Sequence, residues 1–228
     1  MATYVITGAD RGIGAAMCVA LGARGDTVIA ACLVDAPALR GRPGVEVVTG
    51  IDVTSKAALR KLLSAVGDRT IDVLVNNAGV VIEKPLGEFD YDALAKEYSV
   101  NALGPLRVVE LLLPRMAPGG KIGIVTSRVG SLSENSSGGL YGYRMSKAAA
   151  NMAGINLSHE LKARGIAVMC LHPGSVRTQM TAGLAQTATV GTLVDPEISA
   201  QGLIARLDEL TLETTGTFRH ANGQNLPW

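Results

Sequence analysis

Short, continuously apolar runs recur along the chain and are separated by longer segments of helical character. The runs are "TYVITG", "TVIAACLV", "GVEVVTG", "IDVLVNNAG", "KIGIVTS" and "IAVMCLHPG". They are apolar at successive positions rather than alternating, which is the pattern of strands buried on both faces. Between them lie "IGAAMCVALGARG", a helix closed by Gly25, and "TSKAALRKLLSAVG", with Thr54 as its expected N-cap. The long region "DYDALAKEYSVNALGPLRVVELLLPRM" follows, then a helix running from "YGYRMSKAAAN" to "HELKARG". A last helix, "DPEISAQGLIARLDEL", has Asp195 as cap and Pro196 at its first position. Strands alternating with helices predict an α/β fold, a doubly wound parallel sheet with helices on both faces and ligands at the carboxyl ends of the strands. No linker, repeat or low-complexity tract divides the chain, so residues 1–228 read as a single domain.

Several classes of protein are disfavoured. A net charge of +1 supplies no basic field for nucleic acid and no polybasic arm for a membrane. The apolar runs, such as Val28 to Val34, fall far short of the roughly 18 residues of a spanning helix. The segment "MATYVITGAD" enters a strand without a charged leader, so a soluble, unprocessed protein is expected. Cys18, Cys32 and Cys170 are widely spaced within apolar segments and read as buried small hydrophobes. That usage fits a reducing cytoplasm better than a disulfide framework. No His/Cys/Asp cluster has metal-ligand spacing, and no metal is expected.

"VITGADRGIG" sets Gly8, Gly12 and Gly14 between the first strand and the first helix. Gly8 permits the sharp turn, Gly12 lets backbone approach a pyrophosphate, and Gly14 packs helix on strand. The helix N-terminus then offers free N–H groups and a positive dipole end to phosphates. A second constellation lies in "YGYRMSKAAAN": Lys147 stands four residues after Tyr143, on the same helical face. A phenol near pKa 10 is a poor acid or base at neutral pH, and a neighbouring ammonium favours its ionised form. Tyr141 is off the Lys147 face and is assigned to the pocket wall or the loop. The stretch "SRVGSLSENSSGGLYGY", rich in Ser and Gly, reads as a long functional loop.

The spacing G-x-x-x-G-x-G, "NNAG" at Asn76 to Gly79, the Tyr143-x-x-x-Lys147 pair and "HPG" at His172 to Gly174 occur in this order along the chain. Together they resemble the short-chain dehydrogenase/reductase family, whose fold is of the Rossmann type, over essentially the whole chain. The tail "TGTFRHANGQNLPW" is most similar to the branch of C-factor and sniffer-like carbonyl reductases. The resemblance implies an NAD(P)(H)-dependent oxidoreductase that moves hydride between nicotinamide and a small or medium carbonyl compound or secondary alcohol. In that reading Tyr143 is the general acid/base, and Lys147 lowers its pKa and binds the nicotinamide ribose. Asn101 holds a water for the proton relay, and Ser127 stabilises the substrate oxygen. Relatives commonly carry the serine about 13 residues before the tyrosine, whereas Ser127 lies 16 before it and Ser131 lies 12 before it. Ser127 is preferred because a strand end is fixed and a glycine-flanked loop is not. An alternative on the same fold is a catalytically silent nucleotide-sensing or signalling protein.

The family pattern also implies the cofactor contacts. They are Gly8, Asp10, Arg11, Gly12, Ile13 and Gly14 in the glycine turn, and Asp52 and Val53 at the adenine. Asn77, Ala78 and Gly79 lie under the ribose, and Pro173, Gly174, Val176 and Thr178 at the nicotinamide end. Arg11 favours NADP(H), whereas Asp35 could favour NAD(H) by taking the ribose hydroxyls. Cys32 and Leu33, at the positions that usually decide, carry no charge. Substrate-pocket candidates are Arg128, Leu140, Tyr141, Met180 and Leu184, with Leu132 and Glu134 nearby. Arg128 could select an anion, with a surface salt bridge as its competing role. The family's habit of assembly implies a homodimer or homotetramer. The small residues of "SKAAANMAGIN" suit either that contact or packing on the sheet.

Overall fold

Seven parallel strands form one sheet in the computed structural model, which describes residues 1–82, 84–182 and 192–228. They are β1 (Thr3–Thr7), β2 (Thr27–Ala31), β3 (Val45–Val48), β4 (Ile71–Asn76), β5 (Met116–Val125), β6 (Ala167–His172) and β7 (Thr217–His220). The order is β3-β2-β1-β4-β5-β6-β7, so the winding reverses between β1 and β4 and opens a crevice at their carboxyl ends. The six apolar runs of the sequence all become strands. β7 has no counterpart among them: it is four residues long and buries only Phe218, too little to stand out as an apolar run.

The helices are α1 (Gly12–Arg24), α2 (Lys56–Val66), α3 (Tyr91–Tyr98), α4 (Gly104–Leu112), α5 (Tyr141–Lys162), α6 (Gln179–Ala182) and α7 (Pro196–Glu209). Two apolar layers sandwich the sheet. One contains Val5, Leu62, Val108 and Ala150, packing α2, α4 and α5, and the other contains Ile6, Met17 and Leu203, packing α1 and α7. The small residues of α5 face inward: Ala150 and Ala153 are buried, and a Cβ on Gly154 would strike the Cys170 sulfur. All three cysteines are free and buried.

Gly25 ends α1 in the left-handed conformation at φ 93°, as its position in the sequence predicts. The cap of α2 differs from expectation. Ser55 accepts from the Ala58 amide, while the Thr54 hydroxyl donates to Asp52 Oδ1 at 2.7 Å. The long helical region is also broken, by a π-turn at Ser99–Leu103 between α3 and α4. Pro105 has no N–H to give the Asn101 carbonyl, so a regular α-helix loses its bond at this point.

Candidate active site

A cavity of about 630 Å³ fills the crevice at the carboxyl ends of the strands. Its walls include Gly8, Asp10, Arg11, Gly12 and Ile13 from the first turn, Asp52 and Val53 after β3, and Asn77, Ala78 and Gly79 after β4. Tyr143, Lys147, Pro173, Thr178 and Met180 complete the far side. The turn is built for close backbone approach. A Cβ on Gly8, whose φ is 62°, would lie 2.7 Å from Ala78 Cα, and one on Gly14 would lie 2.6 Å from Asn77 Nδ2. Asn77 Nδ2 ties the two strands together, donating to the Thr7 carbonyl at 3.0 Å and the Gly8 carbonyl at 2.9 Å. Arg11 supplies no side-chain cap to α1, so the amides of its first turn stay available to an anion in the cavity. These features fit a dinucleotide and its pyrophosphate.

At the ribose end, Asp10 Oδ1 accepts from the Leu33 amide at 3.3 Å, and Asp10 Oδ2 pairs with Arg11 at 3.5 Å. Arg11 itself remains 61% exposed at the cavity wall. Asp35 instead pairs with Arg40 at 2.5 Å on the outer surface and is not part of the wall.

Tyr143 and Lys147 share one face of α5, with the ammonium 5.6 Å from the ring centre. Lys147 Nζ donates to the Val125 carbonyl at 2.9 Å, and Thr126 Oγ1 donates to the Lys147 carbonyl at 3.3 Å. Burial pushes the Tyr143 phenol up to about 12, the Ser127 hydroxyl pulls it down, and Glu97 pushes it up. Burial also brings Lys147 down to about 8. Desolvation penalises the charge on both partners, and the tyrosine keeps its proton.

Ser127 lies two residues past the end of β5, is 8% exposed and faces Tyr143, standing behind the cavity wall. Ser131 does other work, bonding Ser133 Oγ at 3.1 Å and accepting from the Glu134 amide at 3.3 Å. The unusual spacing before the tyrosine resolves into an exposed bulge at 132–139. Before it, the chain crosses α5 so closely that a Cβ on Gly130 would lie 2.7 Å from the Lys147 carbonyl carbon. After it, Leu140 adopts φ 47°, the one positive φ outside glycine among the described residues. Arg144 clamps this loop from α5, donating to the Gly138 carbonyl at 3.0 Å, the Val129 carbonyl at 3.1 Å and Ser137 Oγ at 2.9 Å.

Asn101 sits in the π-turn as a brace. Its Oδ1 accepts from the Val80 amide at 2.8 Å, and its Nδ2 donates to the Val80 carbonyl at 2.8 Å and to Ser146 Oγ at 2.9 Å. Both amide protons are thus engaged, and one lone pair of Oδ1 remains. Position 79 lies under both side chains: a Cβ there would be 3.3 Å from Asn101 Oδ1 and 3.6 Å from Lys147 Nζ.

Other expected residues stand behind or outside the wall. Gly14, Gly174 and Val176 do not line the cavity, and Val176 is buried in a bridge to Val194. Arg128 pairs with Glu134 at 3.0 Å, Leu140 is buried, and Leu132 is 82% exposed. Tyr141 packs its ring 5.0 Å from Phe89. Leu184 lies outside the described residues. Leu33, at a position that usually decides the cofactor, does line the wall. Wall residues not singled out from the sequence include Val80, Lys96, Val100 and Arg177; Lys96 and Val100 depend on how α3 rolls over the crevice. His172 is half-buried, with its ring 4.9 Å from that of His220, and desolvation brings it down to about 3.

The chain belongs to the short-chain dehydrogenase/reductase family: the family described as short chain dehydrogenase matches residues 2–189. It is therefore an NAD(P)-dependent oxidoreductase of that type. Over 230 residues it is 43% identical to the 1-hydroxy-2-glutathionyl-2-methyl-3-butene dehydrogenase of Rhodococcus sp. (strain AD45), covering 100% of both chains. It is 43% identical to the C-signal protein of Myxococcus xanthus over 161 residues, covering 69% of this chain and 93% of the other. A carbonyl reductase from Pseudomonas aeruginosa PAO1, solved in complex with NADP, superimposes with TM-score 0.83 at 28% identity, covering 100% of both chains. Among the described residues, no helix is long and apolar enough to cross a membrane.

Proposed function

We propose that the protein interconverts a small or medium carbonyl compound and its alcohol with NADP(H), through Ser127, Tyr143, Lys147 and Asn101. The observation that carries this reading is the Ser127 hydroxyl bonding the phenol of Tyr143, which lines the cavity together with Lys147. The bound nicotinamide supplies the hydride chemistry; the chain supplies orientation and the proton. Ser127 donates a hydrogen bond to the substrate oxygen, where negative charge develops during reduction. Tyr143, which keeps its proton in this fold, gives it to that oxygen from Oη and takes it back in the oxidation direction. Lys147 holds the tyrosine face of α5 against the end of β5 and presents its ammonium toward the ribose. Asn101 keeps Val80 and Ser146 in place and leaves one Oδ1 lone pair for a relay water.

The preference for NADP(H) over NAD(H) rests on Arg11, exposed at the cavity wall, and on Asp35, drawn away to Arg40. The NADP complex of the Pseudomonas reductase supports it. The exposed Met145 and Met152 on α5, with exposed Tyr98 on α3 and Leu106 on α4, support assembly into a homodimer or homotetramer.

A panel of aldehydes, ketones and alcohols tested with both cofactors checks the reading. It includes a glutathione-bearing alcohol, because the relative from Rhodococcus is named for one. Turnover that collapses in Tyr143→Phe while cofactor binding persists is the expected result. Cofactor binding with no turnover across the panel would favour a signalling role, the reading that the likeness to C-signal supports.

A further inference from the structure

Glu97 is fully buried on α3, with no exposure to solvent. Its Oε1 accepts from the Ile82 amide at 2.8 Å. Its Oε2 is buried and has no hydrogen-bond partner among the described residues. That free oxygen lies against Gly142, the residue between the two tyrosines of α5. A Cβ at 142 would collide with it and would lie 2.6 Å from Leu94 Cδ2. Glycine at 142 is therefore what admits a carboxyl group beside the tyrosine. Leaving a carboxyl oxygen unpaired in a packed interface is costly, of order 1–3 kcal/mol, and a merely structural bond to Ile82 could be made by a smaller polar side chain.

We propose that Glu97 is a positioning residue for the reaction, one whose carboxyl ties the 79–82 strap of the cavity wall to α3 and sets the charge standing behind Tyr143. The proposal rests on Tyr143 being the acid/base. The strap ends at Glu97 through Ile82, and two residues earlier Val80 is held by Asn101, so α3 and the π-turn fix the same segment. Among the described residues, the groups facing Glu97 are few. α5 presents Tyr143, with Lys147 one turn further, while Arg144 is turned away to the loop. Gly79, Val80, Val81 and Ile82 carry no titratable side chain, and Lys96 on α3 points outward to the cavity rim. Burial holds the Glu97 carboxyl above the ordinary range, and its ionised form raises the Tyr143 phenol. Two acids this close do not titrate independently. The second ionisation is hindered by the first.

The test compares the pH dependence of kcat/KM for alcohol oxidation in wild type and Glu97→Gln, which has the same shape and no charge. Expected is a downward move of the apparent pKa for activation by roughly half a unit or more. Superimposable profiles, or an upward move, would overturn the proposal. Should Glu97→Gln not fold, infrared titration of the unaltered protein decides. Among the described residues Glu97 is the one carboxyl group pushed upward, so one protonated carboxyl band should persist to higher pH than all the others. Its absence overturns the proposal as well. Tyr143→Phe separates the two claims. Retained turnover defeats the catalytic reading and this proposal together, whereas loss of turnover with an unmoved Glu97→Gln profile defeats this proposal alone.

Discussion

The Lys147 ammonium reaches back from α5 to the Val125 carbonyl, at 2.9 Å, and so binds the tyrosine-bearing helix to the end of β5. The bond is made by a cation whose burial disfavours its charge. Folding then has to be most burdened by Lys147 where the lysine is charged in both states. In the folded protein its pKa is about 8, against 10.5 when free. Between those values the unfolded chain holds more protons, so this group makes stability rise with pH. Tyr143 and the buried cysteines titrate oppositely at higher pH, but they are common to wild type and variant. Urea midpoints measured from pH 8 to 10 should rise in wild type relative to Lys147→Met. A constant difference between the two would contradict the assignment.

The two serines before the tyrosine should separate cleanly. Ser127→Ala removes the hydroxyl facing Tyr143 and is expected to lower kcat by about 100-fold with little change in melting temperature. Ser131→Ala removes two bonds inside the loop, and should cost about 1 kcal/mol of stability while leaving kcat within about threefold. Steady-state kinetics beside thermal melts on both variants read this directly. The reverse pattern would exchange their roles.

The glycine turn has no spare room at Gly8. Alanine there combines a φ of 62° with a Cβ 2.7 Å from Ala78 Cα. The turn would have to move away from β4, at a cost of about 1–3 kcal/mol. Calorimetric titration with NADP(H) should show affinity weakened by about tenfold or more, with retained wild-type affinity counting against the cradle.

Cofactor choice should depend on Arg11 and on the uncharged Leu33. Arg11→Ala is expected to weaken NADP(H) more than NAD(H), by about tenfold in the ratio of kcat/KM values. Leu33→Arg places a guanidinium at the cavity wall after β2 and should shift the ratio toward NADP(H). If Arg11→Ala leaves the ratio unchanged, NAD(H) becomes the natural cofactor.

The sheet was legible because strands buried on both faces are apolar at nearly every position, as β1 and β6 show; β4 admits the exposed Asp72. β7 was not, since it is short and mostly half-buried beside β6. The glycine turn and the Tyr143–Lys147 pair are local patterns, and local patterns survive in sequence. Glu97 and Arg144 are different: each acts across the fold, one on Ile82 and Gly142, the other on the loop from Val129 to Gly138. Spacing alone carries no mark of those contacts. The interrupted helix is readable in principle at Pro105, but the proline's effect falls four residues upstream, on Asn101. For Tyr143 the opposite charge of Lys147 is visible in sequence, whereas the desolvation of both groups is set by the fold.

Arg144 gives the loop over the site an unusual kind of independence. The guanidinium gathers Val129, Ser137 and Gly138 at the loop's two ends, while the residues between project into solvent. The bulge is thus a detachable insert on a fixed frame. Lengthening, shortening or replacing it leaves the tyrosine, the serine and the strand beneath undisturbed. The outer surface here and the proton chemistry can consequently diverge at separate rates in descendants of this chain.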